Sequence, residues 1–219
     1  MAWPSSASAS SLPWWPKYRR QFASRAEARC RAGTCTAPTP NQKGKHDHAA
    51  SDRHQRKSAV YLGTACRETD GVLFTVDHHR GSEENQPGWE YHDAELWDEA
   101  AGALDTLPIL RATLRRAGLE DSVIPVVGQS PIIAKHWRTP VSLLFIDGGH
   151  TMEHATNDYR GWTPHLMPGG ILAIHDVFPD PKDGGRPPFE IFQLALRSEL
   201  FREVESVETL RILRRVEDP

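Results

Sequence analysis

Residues 141–178 read VSLLFIDGGHTMEHATNDYRGWTPHLMPGGILAIHDVF, and this stretch decides the fold class. It contains two short, continuous apolar runs, at 141–146 and 171–174, which are typical of strands covered on both faces. Residues 168–170, Pro-Gly-Gly, stand just before the second run, where we expect a turn. The segment 154–162 has room for one helix. The stretch therefore predicts a strand, a helix and a second strand.

Polar residues stand at the point where each of these two strands ends. Asp147 follows the first strand, with His150 shortly after it, and His175 and Asp176 follow the second. In open α/β sheets, ligands bind in the crevice outside the carboxyl ends of the strands. The sequence therefore predicts an enzyme or a nucleotide-type binding protein, with its site at this edge of the sheet.

The alternation of strands and helices extends through the rest of the regular region. Apolar residues on one side of 104–117 and arginines on the other predict an amphipathic helix, with Gly118 as its C-cap. Strands that alternate with helices and finish in a hairpin predict an α/β fold with a mainly parallel sheet. The other predicted helices are 58–69, 131–136 and 188–200, the other strands are 72–76 (ending at Asp77) and 123–127, and the C-terminal antiparallel hairpin pairs 201–204 with 210–213.

Length and composition exclude several classes of protein. A chain of 219 residues is consistent with one α/β domain and an appendage. No apolar run approaches the roughly 18 to 20 residues of a membrane helix, and the N-terminus lacks the apolar core of a signal peptide, so we expect a cytoplasmic protein with no membrane partner. Cys30, Cys35 and Cys66 are an odd set without CxxC spacing, which argues against a disulfide framework and a thiolate zinc site.

Residues 1–56 differ in character from the remainder and are predicted to form an irregular basic arm. Residues 1–57 carry 11 Lys/Arg against 3 Asp/Glu, whereas the rest of the chain carries 15 against 26. Trp14 and Trp15 beside Lys17 could indicate a nucleic-acid or membrane-surface contact. Solvated basic tails are far commoner, so we expect no nucleic-acid partner.

Four strand ends carry a resemblance to a known family. They read VDHH (76–79), VVGQS (126–130), LFIDGGH (144–150) and PGGILAIHDVF (168–178). In this order they resemble class I S-adenosylmethionine-dependent methyltransferases, and in particular the small bacterial O-methyltransferase-like group with IDGxH and HD strand ends. The resemblance covers about 57–215. It implies a Rossmann-like sheet with helices on both faces, S-adenosylmethionine as cofactor, and transfer of a methyl group to an oxygen of a small-molecule acceptor such as a sugar or natural product. Oligomeric state is left open, and a homo-oligomer is compatible with the sequence.

The resemblance also implies roles for individual residues toward the cofactor. Asp77 matches the acid that hydrogen-bonds the ribose hydroxyls, and a carboxylate can accept from two vicinal hydroxyls at once. His78 follows it directly and could border the cofactor. Gln129 and Ser130 match residues that border the adenine. Asp147 matches the acid that faces the sulfonium and the acceptor.

In metal-dependent relatives, the residues that match Asp147, His175 and Asp176 hold a divalent cation. The residue types fit Mg²⁺, because hard cations prefer carboxylate oxygens, whereas a histidine ligand would favour a transition metal. Alternatively, His175 or His150 could be the general base that removes the proton of the acceptor hydroxyl. A third interpretation is that each histidine only hydrogen-bonds a loop backbone.

One expected motif of the family is missing from this sequence. Class I methyltransferases open with a strand and a glycine-rich loop, which should precede Lys57, because the backbone must approach the cofactor closely there. Residues 47–56 read DHAASDRHQR, without glycine. We hypothesise that residues 1–56 are translated from a shifted reading frame or a wrongly chosen start, the alternative being a genuine divergent arm. Residues 57–219 would then be a methyltransferase-like domain without its first strand and loop.

The missing loop raises a second functional hypothesis. The chain could be a catalytically impaired member of the family that acts as a binding or interaction module. A nicotinamide-dependent oxidoreductase is disfavoured, because its glycine fingerprint is also absent.

Overall fold

The computed structural model describes residues 50–81, 85–88, 92–148, 151–180 and 182–216, with side chains from Lys57 onward. These residues form two compact units, 50–129 and 130–216. Helices and sheets occur in both units, which confirms the predicted α/β class. Among the described residues, no helix combines the length and the apolar character needed to cross a membrane.

The first unit contains a parallel strand pair beside two helices. Strands β1 (Leu73–Asp77) and β4 (Val123–Val127) pair in parallel along their whole length. A short antiparallel hairpin lies between them in sequence. The elements, in chain order, are α1 (Ala50–Glu68), β1 (Leu73–Asp77), β2 (Trp97–Asp98), β3 (Ala103–Leu104), α2 (Leu107–Ala117) and β4 (Val123–Val127).

Helix α2 buries the apolar side that its sequence predicted. Leu110 and Leu114 are buried and pack with Ala59 of α1 and Val123 of β4. Gly118 ends the helix with a left-handed φ of 62°, and its N–H donates to the carbonyls of the last turn, which confirms it as the C-cap. The helix begins at Leu107 rather than at the predicted residue 104, because Leu104 belongs to β3.

The second unit contains a four-stranded mixed sheet. Its strands lie in the order β5 (Val141–Ile146), β6 (Leu166–Ile174), β8 (Leu210–Arg215) and β7 (Phe201–Val207). Strands β5 and β6 are parallel, and β8 pairs antiparallel with both β6 and β7. The predicted C-terminal hairpin is therefore confirmed. The elements are α3 (Ser130–His136), β5 (Val141–Ile146), α4 (Met152–Trp162), β6 (Leu166–Ile174), α5 (Arg186–Arg197), β7 (Phe201–Val207) and β8 (Leu210–Arg215).

Strand β6 is buried on both faces, as its continuous apolar run predicted. Leu172 and Ile174 lie in the larger core cluster, which also contains residues of α4 and α5. Ile171 and Ala173 point to the opposite face and pack with Ile212 of β8. Burial on both faces makes this strand the centre of the second unit.

The turn predicted at residues 168–170 is wrong, because β6 continues through them. Leu166 pairs with Val141 and Ile171 pairs with Leu143, so β6 holds extra residues at this point and forms an irregularity of the bulge type. Gly169 takes a φ of 75°, which favours glycine. A Cβ on Gly170 would lie 2.7 Å from the carbonyl oxygen of Met167. Backbone pairing with a strand distant in sequence overrides the local turn preference.

Candidate functional site

The candidate site lies at the carboxyl ends of β5 and β6. Ile146 is opposite Ile174 in the parallel register, and the His175 N–H donates to the Ile146 carbonyl at 3.0 Å. The pairing therefore extends one residue past β6 and sets Asp147 beside His175. Asp176 follows with a left-handed φ of 56°, a conformation that aspartate tolerates better than most residues.

The side chains of Asp147, His175 and Asp176 converge as the sequence predicted. Nδ1 of His175 lies 2.9 Å from Oδ1 of Asp147 and 3.1 Å from Oδ1 of Asp176. By strict alignment Nδ1 is a buried atom without a hydrogen-bond partner among the described residues, although both carboxylate oxygens lie at hydrogen-bond distance and favour a proton on the ring. Each residue offers one ligand atom, and these atoms all lie within 4.8 Å of one another. The cluster could therefore hold a metal ion.

The two carboxylates control the charge of His175. Burial disfavours the charged imidazole, but the contacts with Asp147 and then Asp176 outweigh burial and raise the pKa of His175 to about 10. Without a cation, the ring is therefore protonated at neutral pH and has no lone pair with which to accept a proton. A general-base role for His175 would require a change in this environment.

An apolar pocket adjoins the cluster. Its wall includes Ile146 and Ile174 from the two strands, Ala155 from α4, and Pro188 and Ile191 from α5. The titratable groups lie at the edge of this wall, where water is partly excluded and charge interactions are strengthened. The pocket has a volume of only about 10 Å³, room for about one water molecule, so an organic molecule would have to contact the exposed edge of the cluster rather than enter the pocket.

Asp158 is a polar residue of this unit that the sequence analysis missed. Ser130 donates through Oγ to Oδ1 of Asp158 at 2.5 Å, and Nε1 of Trp162 donates to the same Ser130 oxygen at 2.8 Å. The network joins the first residue of α3 to α4. A signal was present in the sequence, because Asp158 stands one helical turn after Ala155, a buried residue of α4.

Asp158 should make the stability of the fold depend on pH. Burial raises the pKa of Asp158 above its ordinary value of 3.8, although the Ser130 hydrogen bond and the charge of His154 lower it. The folded chain then binds the proton more tightly than the unfolded chain, so this group destabilises the fold as pH rises from 3.8 through the raised pKa. Asp158→Asn keeps an acceptor for Ser130 without a charge. We expect the free energy of unfolding of Asp158→Asn to rise relative to that of the wild type as the pH increases through this range.

Urea denaturation of both proteins from about pH 4 to about pH 8 measures this difference. Glu153→Gln, a matched change at an exposed carboxylate of the same helix, should show no such trend. Asp158→Leu should lose about 1–3 kcal/mol at all pH values, because it leaves the Ser130 hydroxyl without its acceptor. A difference between wild type and Asp158→Asn that does not vary with pH would contradict the assignment.

Asp77, His78 and Gln129 lie at the carboxyl ends of the parallel pair β1 and β4, where the Gly128 N–H donates to the Asp77 carbonyl at 3.0 Å. Asp77 ends β1, and its Oδ1 accepts the His79 N–H at 2.8 Å. His78 is exposed, and its Nδ1 accepts the Arg80 N–H at 3.0 Å. Gln129 is exposed after β4. His150 lies outside the described residues.

Comparison with known proteins places this architecture in a family. A family model described as a methyltransferase domain matches residues 54–177, more than half of the chain. The structure is similar to that of the O-methyltransferase NovP, with a TM-score of 0.56 and 13% identity over 74% of this chain and 69% of that one. It is also similar to the SAH-bound methyltransferase PaMTH1 of Podospora anserina, with a TM-score of 0.51 and 14% identity over 90% and 96% of the two chains. The matched region contains the strand ends at Asp77, Asp147 and His175, and the chain belongs to the class I S-adenosylmethionine-dependent methyltransferases.

Proposed function

We propose that this protein transfers a methyl group from S-adenosylmethionine to an oxygen of a small molecule. The observation that carries the proposal is the cluster of Asp147, His175 and Asp176 at adjacent strand ends, inside the region that matches the methyltransferase domain. NovP, a structural neighbour, is described as an O-methyltransferase, which supports oxygen as the acceptor atom.

We further propose that the cluster holds a divalent cation. The residues fit one, because Nδ1 of His175 is buried without an aligned hydrogen-bond partner among the described residues while two carboxylate oxygens lie beside it. Carboxylate oxygens suit Mg²⁺, and the histidine also admits a transition metal. A bound cation would polarise an acceptor hydroxyl and make its proton easier to remove.

The chain's own residues would position the acceptor and exclude water. Asp147, His175 and Asp176, whose side chains are 19%, 34% and 38% exposed, would contact the polar part of the acceptor, whereas Ile146 and Ile191 behind them are buried. Methyl transfer forms a C–O bond as the C–S bond of the sulfonium breaks, so positioning the acceptor and removing its hydroxyl proton would supply most of the catalysis. His150 or His175 would accept that proton, and His175 could do so only after losing its own.

The resemblance assigns the cofactor contacts. In this proposal Asp77 binds the ribose hydroxyls, His78 and Gln129 border the cofactor, and Asp147 faces the sulfonium. Ser130 would border the adenine through its backbone, since its hydroxyl proton is already donated to Asp158. Each assignment rests on the position of the residue at a strand end.

We propose a cytoplasmic location and a freely diffusing acceptor. Cys66 is a free thiol and the only cysteine in the part of the chain that the structure describes. A free thiol is common in a reducing compartment. Burial raises the pKa of this thiol, which favours its unreactive protonated form.

A catalytically impaired binding module is the second candidate function. Residues 50–56, in the region where the glycine-rich loop was expected, belong to helix α1, and the family match begins only at residue 54. The helix therefore crosses the predicted boundary at residue 57, and residues 50–56 are helical rather than irregular; the division into an arm at 1–56 and a domain at 57–219 stays a proposal. Resequencing the gene tests the reading-frame hypothesis: an upstream frame that encodes an apolar strand and a glycine loop would support it.

Isothermal titration of S-adenosylmethionine into the purified chain, with and without Mg²⁺, tests the proposed function. We expect saturable binding in the micromolar range. Saturable binding would justify a screen of hydroxylated acceptors with radiolabelled methyl donor. No binding by folded protein would overturn the enzymatic proposal and favour the impaired module.

A further inference from the structure

The turn that follows β1 holds Asp77 in a defined orientation. The backbone N–H of His79 donates to Oδ1 of Asp77 at 2.8 Å and closes a turn over His78. Oδ2 of Asp77 lies 3.8 Å from Nδ1 of His79, which is beyond hydrogen-bond distance. One carboxylate oxygen is therefore engaged within the turn. The Asp77 side chain is 34% exposed, so solvent or a ligand can still reach it.

His79 occupies a backbone conformation that is uncommon for a residue other than glycine. Its φ is +59°, in the left-handed region where glycine would be relaxed and a residue with a Cβ is disfavoured. The residue is nevertheless only 5% exposed, so its side chain is enclosed. Contacts of that side chain must offset the backbone preference, and they identify what holds the turn.

These contacts converge on Thr106, the residue before α2. Nδ1 of His79 and Oγ1 of Thr106 share a hydrogen bond of 2.8 Å, and the Thr106 N–H donates to the His79 carbonyl at 3.2 Å. Nε2 of His79 is buried and has no hydrogen-bond partner within the described ranges, so no second bond to the ring is seen there.

The Thr106 side chain does not cap α2, although a threonine at the N-cap position commonly does so. Thr106 is the N-cap of α2, yet its side chain makes no capping hydrogen bond. Asp105 instead accepts the Leu107 N–H at 3.0 Å. The Thr106 hydroxyl is thus engaged by His79. The guanidinium of Arg80 donates to the Leu104 carbonyl at 3.2 Å. This bond is a second link between the turn after β1 and the residues that precede α2.

We infer that His79 is a positioning residue for Asp77. Its ring, held by Thr106, keeps the backbone N–H of His79 directed at Oδ1 and leaves Oδ2 oriented to accept a hydrogen bond from a ribose hydroxyl. The inference rests on the proposed function, because the ribose contact of Asp77 belongs to that proposal. It adds that recognition of the ribose depends on a side chain that does not itself touch the ligand.

The test compares variants that remove the anchor in different ways. Thr106→Val removes the hydroxyl with little change of shape and leaves the backbone of His79 untouched. His79→Gly removes the ring but relaxes the left-handed backbone. Thr106→Ser is the conservative control, because it keeps the hydroxyl. Near-ultraviolet circular dichroism and the urea midpoint verify that each variant is folded.

The readout is the ratio of affinities for S-adenosylhomocysteine and its 2′-deoxy analogue, measured by isothermal titration. We expect the wild type to prefer the ribose form and Asp77→Ala to lose the preference. Thr106→Val and His79→Gly should reduce the preference about 5- to 10-fold, as expected for one misaligned hydrogen bond. Thr106→Ser should keep it. Thr106→Val should add no further loss of preference in an Asp77→Ala background, because its effect passes through Asp77.

Two results would overturn the inference while leaving the proposed function intact. The first is an unchanged preference in both Thr106→Val and His79→Gly. The second is an equal loss of affinity for both ligands, which is the signature of a merely structural role. Failure of the folded wild type to bind either ligand would instead overturn the proposed function, and the inference with it.

Discussion

Replacing Asp147 by asparagine should weaken divalent-cation binding by at least about 100-fold, since loss of a charged ligand should exceed the 10- to 100-fold typical of outer-shell changes. The amide keeps the shape of the side chain but removes its charge. It also leaves Asp176 as the remaining carboxylate of the cluster. Titration with Mn²⁺, followed by electron paramagnetic resonance, measures the change in Kd directly.

The control for this experiment is Asp183→Asn, which makes the same chemical change at an exposed residue outside the cluster. Asp183→Asn should bind Mn²⁺ like the wild type. Chelation with EDTA should also remove methyl transfer to any acceptor that a screen identifies. Equal Mn²⁺ affinity in wild type and Asp147→Asn would reject the cation site, and the cluster would then be an ion pair of His175 with two carboxylates.

Asp77→Ala should raise the Kd for S-adenosylmethionine by about 10- to 140-fold. Hydrogen bonds to a charged acceptor contribute about 1.5–3 kcal/mol, and each 1.4 kcal/mol is a factor of ten in Kd. Asp77→Asn should fall between alanine and wild type, because the amide retains one acceptor oxygen. Isothermal titration gives both values.

Glu120→Ala is the matched control, because Glu120 is an exposed carboxylate of the same unit. It should leave the Kd unchanged. If Asp77→Ala binds as tightly as the wild type, Asp77 does not contact the ribose.

Elements formed by short apolar runs could be predicted closely from the sequence. The bounds of β4 and β5 are those that the apolar runs indicated, because each run stops where a polar or turn-forming residue stands: Ser122 and Gly128 for β4, Pro140 and Asp147 for β5. Helix α4 begins at Met152 rather than at residue 154. Thr151 caps it by accepting the His154 N–H at 3.2 Å, and this local contact was not recognised in the sequence.

Features that depend on distant partners could not be predicted in this way. The bulge at residues 167–170 exists because β6 pairs with β5, and the local Pro-Gly-Gly signal favoured a turn instead. The contact of His79 with Thr106 joins residues that are 27 positions apart. The convergence of Asp147, His175 and Asp176 could be anticipated, because parallel strands end at the same edge of a sheet. The poor alignment of Nδ1 of His175 with the two carboxylates could not be anticipated, because it depends on the side-chain rotamer of His175.

The left-handed backbone at Asp176 restricts how this centre could be redesigned. Lengthening the side chain with Asp176→Glu would keep the charge but place it on a residue that tolerates this φ poorly. Asparagine and glycine would accept the backbone but supply no charge. Aspartate therefore combines an anionic side chain with a tolerated backbone better than these alternatives, so variants designed to change the preference of the proposed cation site should begin at His175.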